Sequence, residues 1–179
     1  MRLFSYNIIC LCLLILCCKQ AIGSVKTIRQ LGDIGQIALP IAAVLSTEIH
    51  QDKIGFFEFV KAFTTTMGLT YILKPTVNRI RPDGGKWSFP SGHSAAAFAG
   101  ATFMQRRYGW NYGVPAYLAA SFVGASRIIA KRHWASDVLF GAVIGIGANV
   151  IFTKPYYNSI KVSPYIDSDT KGLMLQANF

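Results

Sequence analysis

The segment VLFGAVIGIGANVIFT, residues 138–153, contains no charged side chain and no stripe of polar residues. A helix on the surface of a soluble bundle shows polar residues that recur at the helical period. Residues 138–153, and the similarly unpatterned residues 108–126, therefore predict helices with apolar surroundings on every side. A membrane provides such surroundings.

Further apolar segments occupy residues 34–47, 54–73 and 93–104, and residues 1–23 add another. Only residues 54–73 and 108–126 approach the roughly 20 apolar residues that a membrane span requires, and the shorter segments would also suit a soluble bundle. We expect an all-α fold, a helical bundle of five to six mostly apolar helices that is embedded in a membrane.

Local signals add detail to the last and second helices. Gly141, Gly145 and Gly147 give the last helix a face of small residues, which another helix can approach closely. Pro75 predicts the end of the second helix, because proline disfavours helical backbone at the residue before it.

The chain divides into three parts by composition. Residues 1–23 combine Arg2, an apolar run and small residues before position 24, so they are either a cleaved signal peptide or an uncleaved first membrane helix. All four cysteines lie in this part, and cleavage would leave a chain without disulfides. Residues 24–153 form the predicted helical domain. Residues 154–179 form a polar tail, in which residues 172–179 favour one short strand.

The segment before the last helix carries Arg127, His133 and Asp137. His133 and Asp137 are four residues apart, which places them on one helix face. A carboxylate that accepts a hydrogen bond from one imidazole nitrogen fixes the tautomer and leaves the other nitrogen able to attack. Arg127 would share that face only if the helix broke near residues 130–132. A His–Asp pair is common on protein surfaces, so this segment alone does not establish catalysis.

Two other segments share the same chemical theme. Ser91, Gly92 and His93 read as a capped helix start, where unpartnered amides bind anions and His93 could protonate a leaving group. Lys74 and Arg81 flank the break after the second helix, and such cations bind phosphate oxygens. A capped helix with an incidental histidine and a solvated basic loop are the alternatives for each segment taken alone.

In order along the chain, the three motifs are Lys74-x6-Arg81-Pro82, Pro90-Ser91-Gly92-His93 and Ser126-Arg127-x5-His133-x3-Asp137. Together they resemble the signature of the type 2 phosphatidic-acid phosphatase superfamily, in its membrane lipid phosphatase branch. The resemblance covers residues 74–137 and implies roles for the matching positions. His133 would attack phosphorus to give a phosphohistidine, Asp137 would orient it, and His93 would protonate the leaving group. The phosphate oxygens would be bound by Lys74, Arg81, Ser91, Gly92 and Arg127. The resemblance implies no cofactor and no metal.

The net charge of +10 agrees with an anionic substrate. Only 15% of the residues are charged, against roughly 25% in an average soluble domain. Seven of the 18 cations lie in or beside the three motifs: Lys74, Arg79, Arg81, Lys86, Arg127, Lys131 and Arg132. The basic excess is therefore explained by the site, and we expect no nucleic-acid partner.

The expected function is a metal-independent phosphatase of the cell envelope that hydrolyses a lipid phosphate or diphosphate. The candidate substrates are a phospholipid, a polyprenyl diphosphate and a lipid A phosphate, and the sequence does not choose among them. Alternating spans predict a bacterial-type inner membrane location with the site facing the periplasm and Arg106, Arg107 and Lys154 on the inner side. The alternatives are a soluble periplasmic acid phosphatase for small phosphomonoesters, a catalytically silent lipid-binding protein and a vanadium haloperoxidase.

Overall fold

A computed structural model describes residues 24–156, 160–166 and 171–177 of the chain. These residues contain five α-helices and two β-strands, whose bounds are α1 Val25–Ile49, α2 Lys53–Val77, α3 Gly92–Tyr108, α4 Trp110–Ile129, α5 Ala135–Phe152, β1 Ile160–Ile166 and β2 Lys171–Ala177. The predicted signal peptide or first membrane helix, residues 1–23, lies outside the described residues.

The five helices match the five predicted apolar segments after residue 24, and the all-α bundle is confirmed. The prediction that Pro75 ends the second helix is wrong. The fixed φ of proline is compatible with helical backbone, and α2 continues for two residues beyond Pro75. The helix ends instead at Val77, and the next residue, Asn78, adopts a left-handed conformation with φ 44° and donates its N–H to the Lys74 carbonyl. Lys74 therefore lies on the last turn of α2.

Helix α3 forms the centre of the bundle and packs against each of the other four helices. Its alanines have no bulk that would keep a neighbouring backbone away, and Ala95, Ala97 and Ala99 are fully buried. A side chain at Gly100 would collide with the α1 backbone at Leu39. Small residues on α3 therefore allow the close packing that fixes the ends of the surrounding helices.

The predicted small-residue face of α5 is confirmed at two of its three glycines. Gly141 and Gly145 lie against the backbone of the Ser91–Ala99 region, where an added Cβ would collide with main-chain atoms. Gly147 faces open space, so its inclusion in that face is wrong. The contact brings the start of α5 directly against the start of α3, and the spacing of four residues between the two glycines matches about one helix turn.

A buried ion pair lies at the end of the bundle opposite the starts of α3 and α5. Arg107, only 7% exposed, donates from Nε and Nη2 to the two Asp52 carboxylate oxygens at 2.6 and 2.7 Å. Asp52 also caps the start of α2 by accepting the Gly55 N–H. Arg107 further donates to the carbonyl of Lys154, which anchors the chain after α5. These contacts tie the start of α2, the end of α3 and the chain after α5 together.

The tail contains an antiparallel hairpin, in which Ile160 lies opposite Ala177 and Ile166 opposite Lys171. The strand predicted at residues 172–179 is confirmed as β2, Lys171–Ala177. Its partner β1 was not predicted, because Pro164 and the polar composition of residues 154–170 indicate a broken segment.

Candidate active site

One end of the bundle collects the start of α1, the end of α2, the start of α3, the end of α4 and the start of α5. Two neighbouring cavities of about 350 and 130 Å³ lie there and share Arg81, His93 and His133 in their walls. Lys74 and Gly92 line the larger cavity, and Arg127 lines the smaller one. The structure therefore brings residues of all three sequence motifs to one place.

A tight turn between α4 and α5 positions His133. Helix α4 ends at Ile129, as the predicted break requires, and the Arg127 carbonyl accepts the N–H groups of Arg132 and His133 at 2.9 and 3.3 Å. Within this turn, Lys131 takes a left-handed conformation with φ 53°. His133 consequently lies in the turn, two residues before α5 begins. The prediction that it shares a helix face with Asp137 is wrong in that respect.

The His133 ring is 3% exposed, and its Nδ1 lies 2.6 Å from the carbonyl oxygen of Ser88. A carbonyl can only accept a hydrogen bond, so Nδ1 carries the proton and Nε2 of the neutral ring keeps its lone pair. The Asp137 carboxylate is 3.9 Å from Nδ1, too far for a hydrogen bond. The direct bond expected between His133 and Asp137 is therefore absent, and Ser88 takes its place.

Asp137 is fully buried and organises the surroundings of His133. Its carboxylate accepts hydrogen bonds from the Ser88 hydroxyl, from the Trp134 N–H at 2.9 Å and from Arg79 Nη1 at 2.8 Å. Its main-chain carbonyl accepts the N–H of Ser91 at 2.9 Å. As the third residue of α5 it faces the helix start, which explains why it caps its own helix instead of reaching the imidazole. Ser88 thus links Asp137 to His133 through two hydrogen bonds.

Burial lowers the pKa of His133 to about 4, and the nearby cations Lys74 and Arg81 contribute in the same direction. The Ser88 carbonyl and the Asp137 carboxylate act in the opposite direction. His133 is therefore neutral at pH 7, which is the form that can act as a nucleophile.

The start of α3 forms the wall beside His133. The Ser91 hydroxyl accepts the Ser94 N–H at 3.3 Å, which confirms the predicted cap. Gly92 follows on the cavity wall, where a larger residue would take up space in the larger cavity. Lys74 Nζ donates to the carbonyls of Pro90 and Trp87 at 3.1 and 3.3 Å, so the ammonium is fixed at the edge of this cavity.

Two arginines give the site its positive charge. Among the described residues, the buried Nε of Arg81 has no hydrogen-bond partner. Burial and the neighbouring Arg132 lower the pKa of Arg81, so its cation gains from a nearby anion. Arg127 is 2% exposed and donates to Asp33, to the Arg29 carbonyl and to the Ser126 hydroxyl. Three of its five donors are used in this way.

Sequence reasoning missed three residues of the site. Ser88 lies two residues before the second motif, and Arg79 lies between Lys74 and Arg81 but bonds Asp137 and Ser136. Asp33 accepts a hydrogen bond from His93, with Oδ1 2.9 Å from Nε2. Asp33 could have been identified from the sequence. A single carboxylate beside an apolar helix segment costs free energy in a membrane, and such a residue is therefore a candidate functional residue.

Comparisons with known proteins show the family of this chain. A family model described as the PAP2 superfamily matches residues 83–161. The chain is 30% identical over 158 residues to the Lipid A 4'-phosphatase of Helicobacter pylori, an alignment that covers 81% of this chain and 79% of that relative. The chain therefore belongs to the PAP2 superfamily, and the resemblance seen in its three motifs is confirmed.

Two further comparisons concern a second relative and a solved structure. Over 84 residues the chain is 51% identical to the Lipid A 1-phosphatase of Porphyromonas gingivalis, which covers 44% of this chain but only 19% of that relative's length. The crystal structure of Aquifex aeolicus LpxE superposes with a TM-score of 0.62 and 26% identity, covering 71% of this chain and 83% of the other.

Proposed function

We propose that this protein is a phosphatase that removes a phosphate group from a membrane lipid. The observation that carries the proposal is a buried, neutral His133 beside His93 in a cavity whose walls carry Lys74 and Arg81. A histidine nucleophile, a second histidine and fixed cations are the groups that a phosphoryl transfer needs.

The reaction follows from the tautomer of His133. Its Nε2 lone pair attacks phosphorus, the bond from phosphorus to the leaving oxygen breaks, and His93 donates a proton to that oxygen. A water molecule then attacks phosphorus, the bond from phosphorus to Nε2 of His133 breaks, and His93 accepts a proton from the water, so that inorganic phosphate and the neutral His133 ring are released. Lys74, Arg81 and Arg127 stabilise the charge on the phosphoryl oxygens in both steps. In this scheme the chain's own cations supply the stabilisation, so we propose that no metal is required.

The surface of the bundle supports a membrane location. Helix α1 carries a row of large apolar side chains that are all more than half exposed: Ile34, Ile37, Ile41, Leu45 and Ile49. On α5, Leu139, Val143 and Ile151 are exposed to a similar degree. Soluble proteins rarely expose continuous apolar surface of this kind. By length and composition, α1 and α5 could each span a membrane.

The seam between α1 and α2 supports a lipid substrate. A cavity of about 420 Å³ lies in this seam, and eight of the nine residues in its wall are apolar: Pro40, Ile41, Val44, Leu45, Phe56, Phe59, Val60 and Phe63, with Thr64 as the ninth. Gln36 and Met67 line the larger cavity of the site and lie one helix turn from this groove. A hydrocarbon chain attached to a phosphate at His133 could follow the groove.

Among lipids we propose a lipid A phosphate, because two relatives are named as lipid A 1- and 4'-phosphatases. A phospholipid and a polyprenyl diphosphate are the other candidates. We further propose that the protein resides in a bacterial-type inner membrane with its site facing the periplasm. Arg106 and Lys154 lie at the opposite end of the helices from the site, as the positive-inside rule favours.

A phosphate-release assay of the protein in detergent micelles tests the proposal. The substrates are lipid A, phosphatidic acid, a polyprenyl diphosphate and nitrophenyl phosphate. His133→Ala should abolish turnover of every substrate that the wild-type protein hydrolyses. His50→Asn is the matched control, because His50 lies at the other end of the bundle, stacked on Tyr108. Turnover of nitrophenyl phosphate alone, by protein released without detergent, would instead indicate a soluble acid phosphatase.

A further inference from the structure

Asp33 lies near the start of α1, outside the three motifs and outside the region matched by the family model. Its Oδ1 atom is 2.9 Å from His93 Nε2 and 2.6 Å from Arg127 Nη1. We propose that Asp33 is a positioning residue, which orients His93 and stabilises its protonated form for transfer to the leaving group. This inference rests on the proposed phosphatase function.

The hydrogen bond to Asp33 determines which nitrogen of His93 can face the substrate. A carboxylate accepts but does not donate, so Nε2 of His93 carries a proton. Nδ1 is then the nitrogen that can give a proton to the leaving oxygen. A ring fixed at one nitrogen by a carboxylate is also restricted in rotation, as a general acid must be to meet the substrate at hydrogen-bond distance.

The two histidines of the site have different partners. His133 donates to the uncharged carbonyl of Ser88, and its almost complete burial favours its neutral form. His93 is 27% exposed and faces the negatively charged Asp33, which favours the imidazolium. Burial and the cation Arg127 lower the pKa of His93 to about 4, close to that of His133, and the hydrogen bond to Asp33 opposes this lowering at His93.

The other charges around His93 act against protonation. Arg127 on α4 and Lys74 on α2 are both cations close to its ring, and Arg81 and His133 share the cavity walls with it. Asp33 is the carboxylate that bonds His93 among the described residues. The negative charge of a bound phosphate would act in the same direction as Asp33. Without Asp33, the imidazolium would depend on the substrate alone.

Asp33 also bonds Arg127, so a purely structural role has to be distinguished from positioning of His93. Arg127 receives a second acceptor on α1, the carbonyl of Arg29 at 2.6 Å, and the Asp33 carboxylate is itself 41% exposed at the smaller cavity. If Asp33 served only to fix Arg127, its loss would weaken phosphate binding for all substrates alike. If it acts through His93, the loss depends on the leaving group.

The first experiment compares wild-type protein with Asp33→Asn, which keeps the size and the acceptor oxygen but removes the charge. For a lipid phosphate, whose alkoxide leaving group needs a proton, we expect kcat to fall about tenfold or more, a part of the roughly 10²- to 10⁴-fold that general acid catalysis provides. For nitrophenyl phosphate we expect less than about a threefold change, since that leaving group needs little protonation. The basic limb of the lipid phosphate rate profile should move to lower pH, and Asp33→Glu should restore it.

The second experiment repeats Asp33→Asn in a His93→Ala background. If Asp33 acts through His93, the second substitution should not change the ratio of the rates for the two substrates any further. The matched control is Asp83→Asn, since Asp83 pairs with Arg132 at 2.7 Å beside the same cavity but does not contact His93. Asp83→Asn should leave the ratio of the two rates as in wild type.

The outcomes separate the inference from the proposed function. Equal losses for both leaving groups in Asp33→Asn, or a further change in the ratio of the two rates in the His93→Ala background, would overturn the positioning role while wild-type turnover stands. Absence of lipid phosphate turnover by the wild-type protein would contradict the proposed function itself. A thermal unfolding curve in detergent accompanies each variant, and Asp33→Glu provides a charged comparison if the asparagine variant unfolds early.

Discussion

Ser88→Ala tests the hydrogen-bonded connection between Asp137 and His133. Ser88 is fully buried, its hydroxyl donates to the Asp137 carboxylate, and its carbonyl accepts the His133 Nδ1–H at 2.6 Å. Alanine removes the hydroxyl and leaves the carbonyl in the chain. The peptide unit that orients the imidazole then loses its connection to the carboxylate.

The expected size of the effect follows from the lost bond. A hydrogen bond to a charged group contributes about 1.5–3 kcal/mol. If that whole amount supports the reactive orientation of His133, the rate falls roughly 10- to 100-fold, since about 1.4 kcal/mol corresponds to a factor of ten. Asp137 keeps its bonds from Trp134 and Arg79, so we expect the fold to survive.

The assay measures kcat/KM of Ser88→Ala for a lipid phosphate and for nitrophenyl phosphate. Because the nucleophile attacks phosphorus in both substrates, the two should lose activity by the same factor. Ser46→Ala is the matched control, since Ser46 is another buried serine but bonds the Ala43 carbonyl away from the site. A loss of less than about threefold in Ser88→Ala, together with a much larger loss in Asp137→Asn, would refute the connection through Ser88 and favour direct contact between Asp137 and His133.

The remaining predictions concern pH, metal and the lipid groove. In the free enzyme, kcat/KM should rise as the pH increases through about 4, because His133 attacks only when it is neutral. Arg81→Gln should move this rise to higher pH, because the substitution removes a cation that lowers the pKa of His133. Excess chelator should leave turnover unchanged and vanadate should inhibit, whereas activity lost to chelator and restored by magnesium would contradict the scheme. Ile41→Trp, which fills the groove between α1 and α2, should reduce kcat/KM for a long-chain lipid phosphate more than for a short-chain one. Ile37→Trp is the control, because Ile37 lies one turn away and outside the groove wall, and it should leave the ratio of the two kcat/KM values unchanged.

The apolar segments alone were enough to predict the five helices of the bundle and their order. The break between α4 and α5 was also predictable, because Arg127 and His133 could meet only if the helix ended between them. Helix ends were less accurate. Pro75 lies inside α2, two residues before its end, because the preference of the residue before a proline for extended backbone is a tendency that the packed bundle can override.

The chemical membership of the site was largely predictable from the three motifs, but its hydrogen bonds were not. Ser88 meets His133 across 45 positions of sequence, and Asp33 meets His93 across 60. Spacing rules connect residues on one helix, and contacts between different helices depend on how the bundle packs. The expected bond between His133 and Asp137 was wrong for this reason, since the turn before α5 takes His133 off the helix.

Trapping the covalent intermediate tests the central claim most directly. The protein is mixed with a labelled lipid phosphate, quenched during turnover and digested, and the phosphorylated peptide is analysed for the position of the phosphate. Because Nδ1 of His133 donates to Ser88, the phosphate should be found on Nε2 of His133, and it should be absent from the His133→Ala protein. Phosphate on Nδ1 or on His93, or turnover by His133→Ala, would contradict the account.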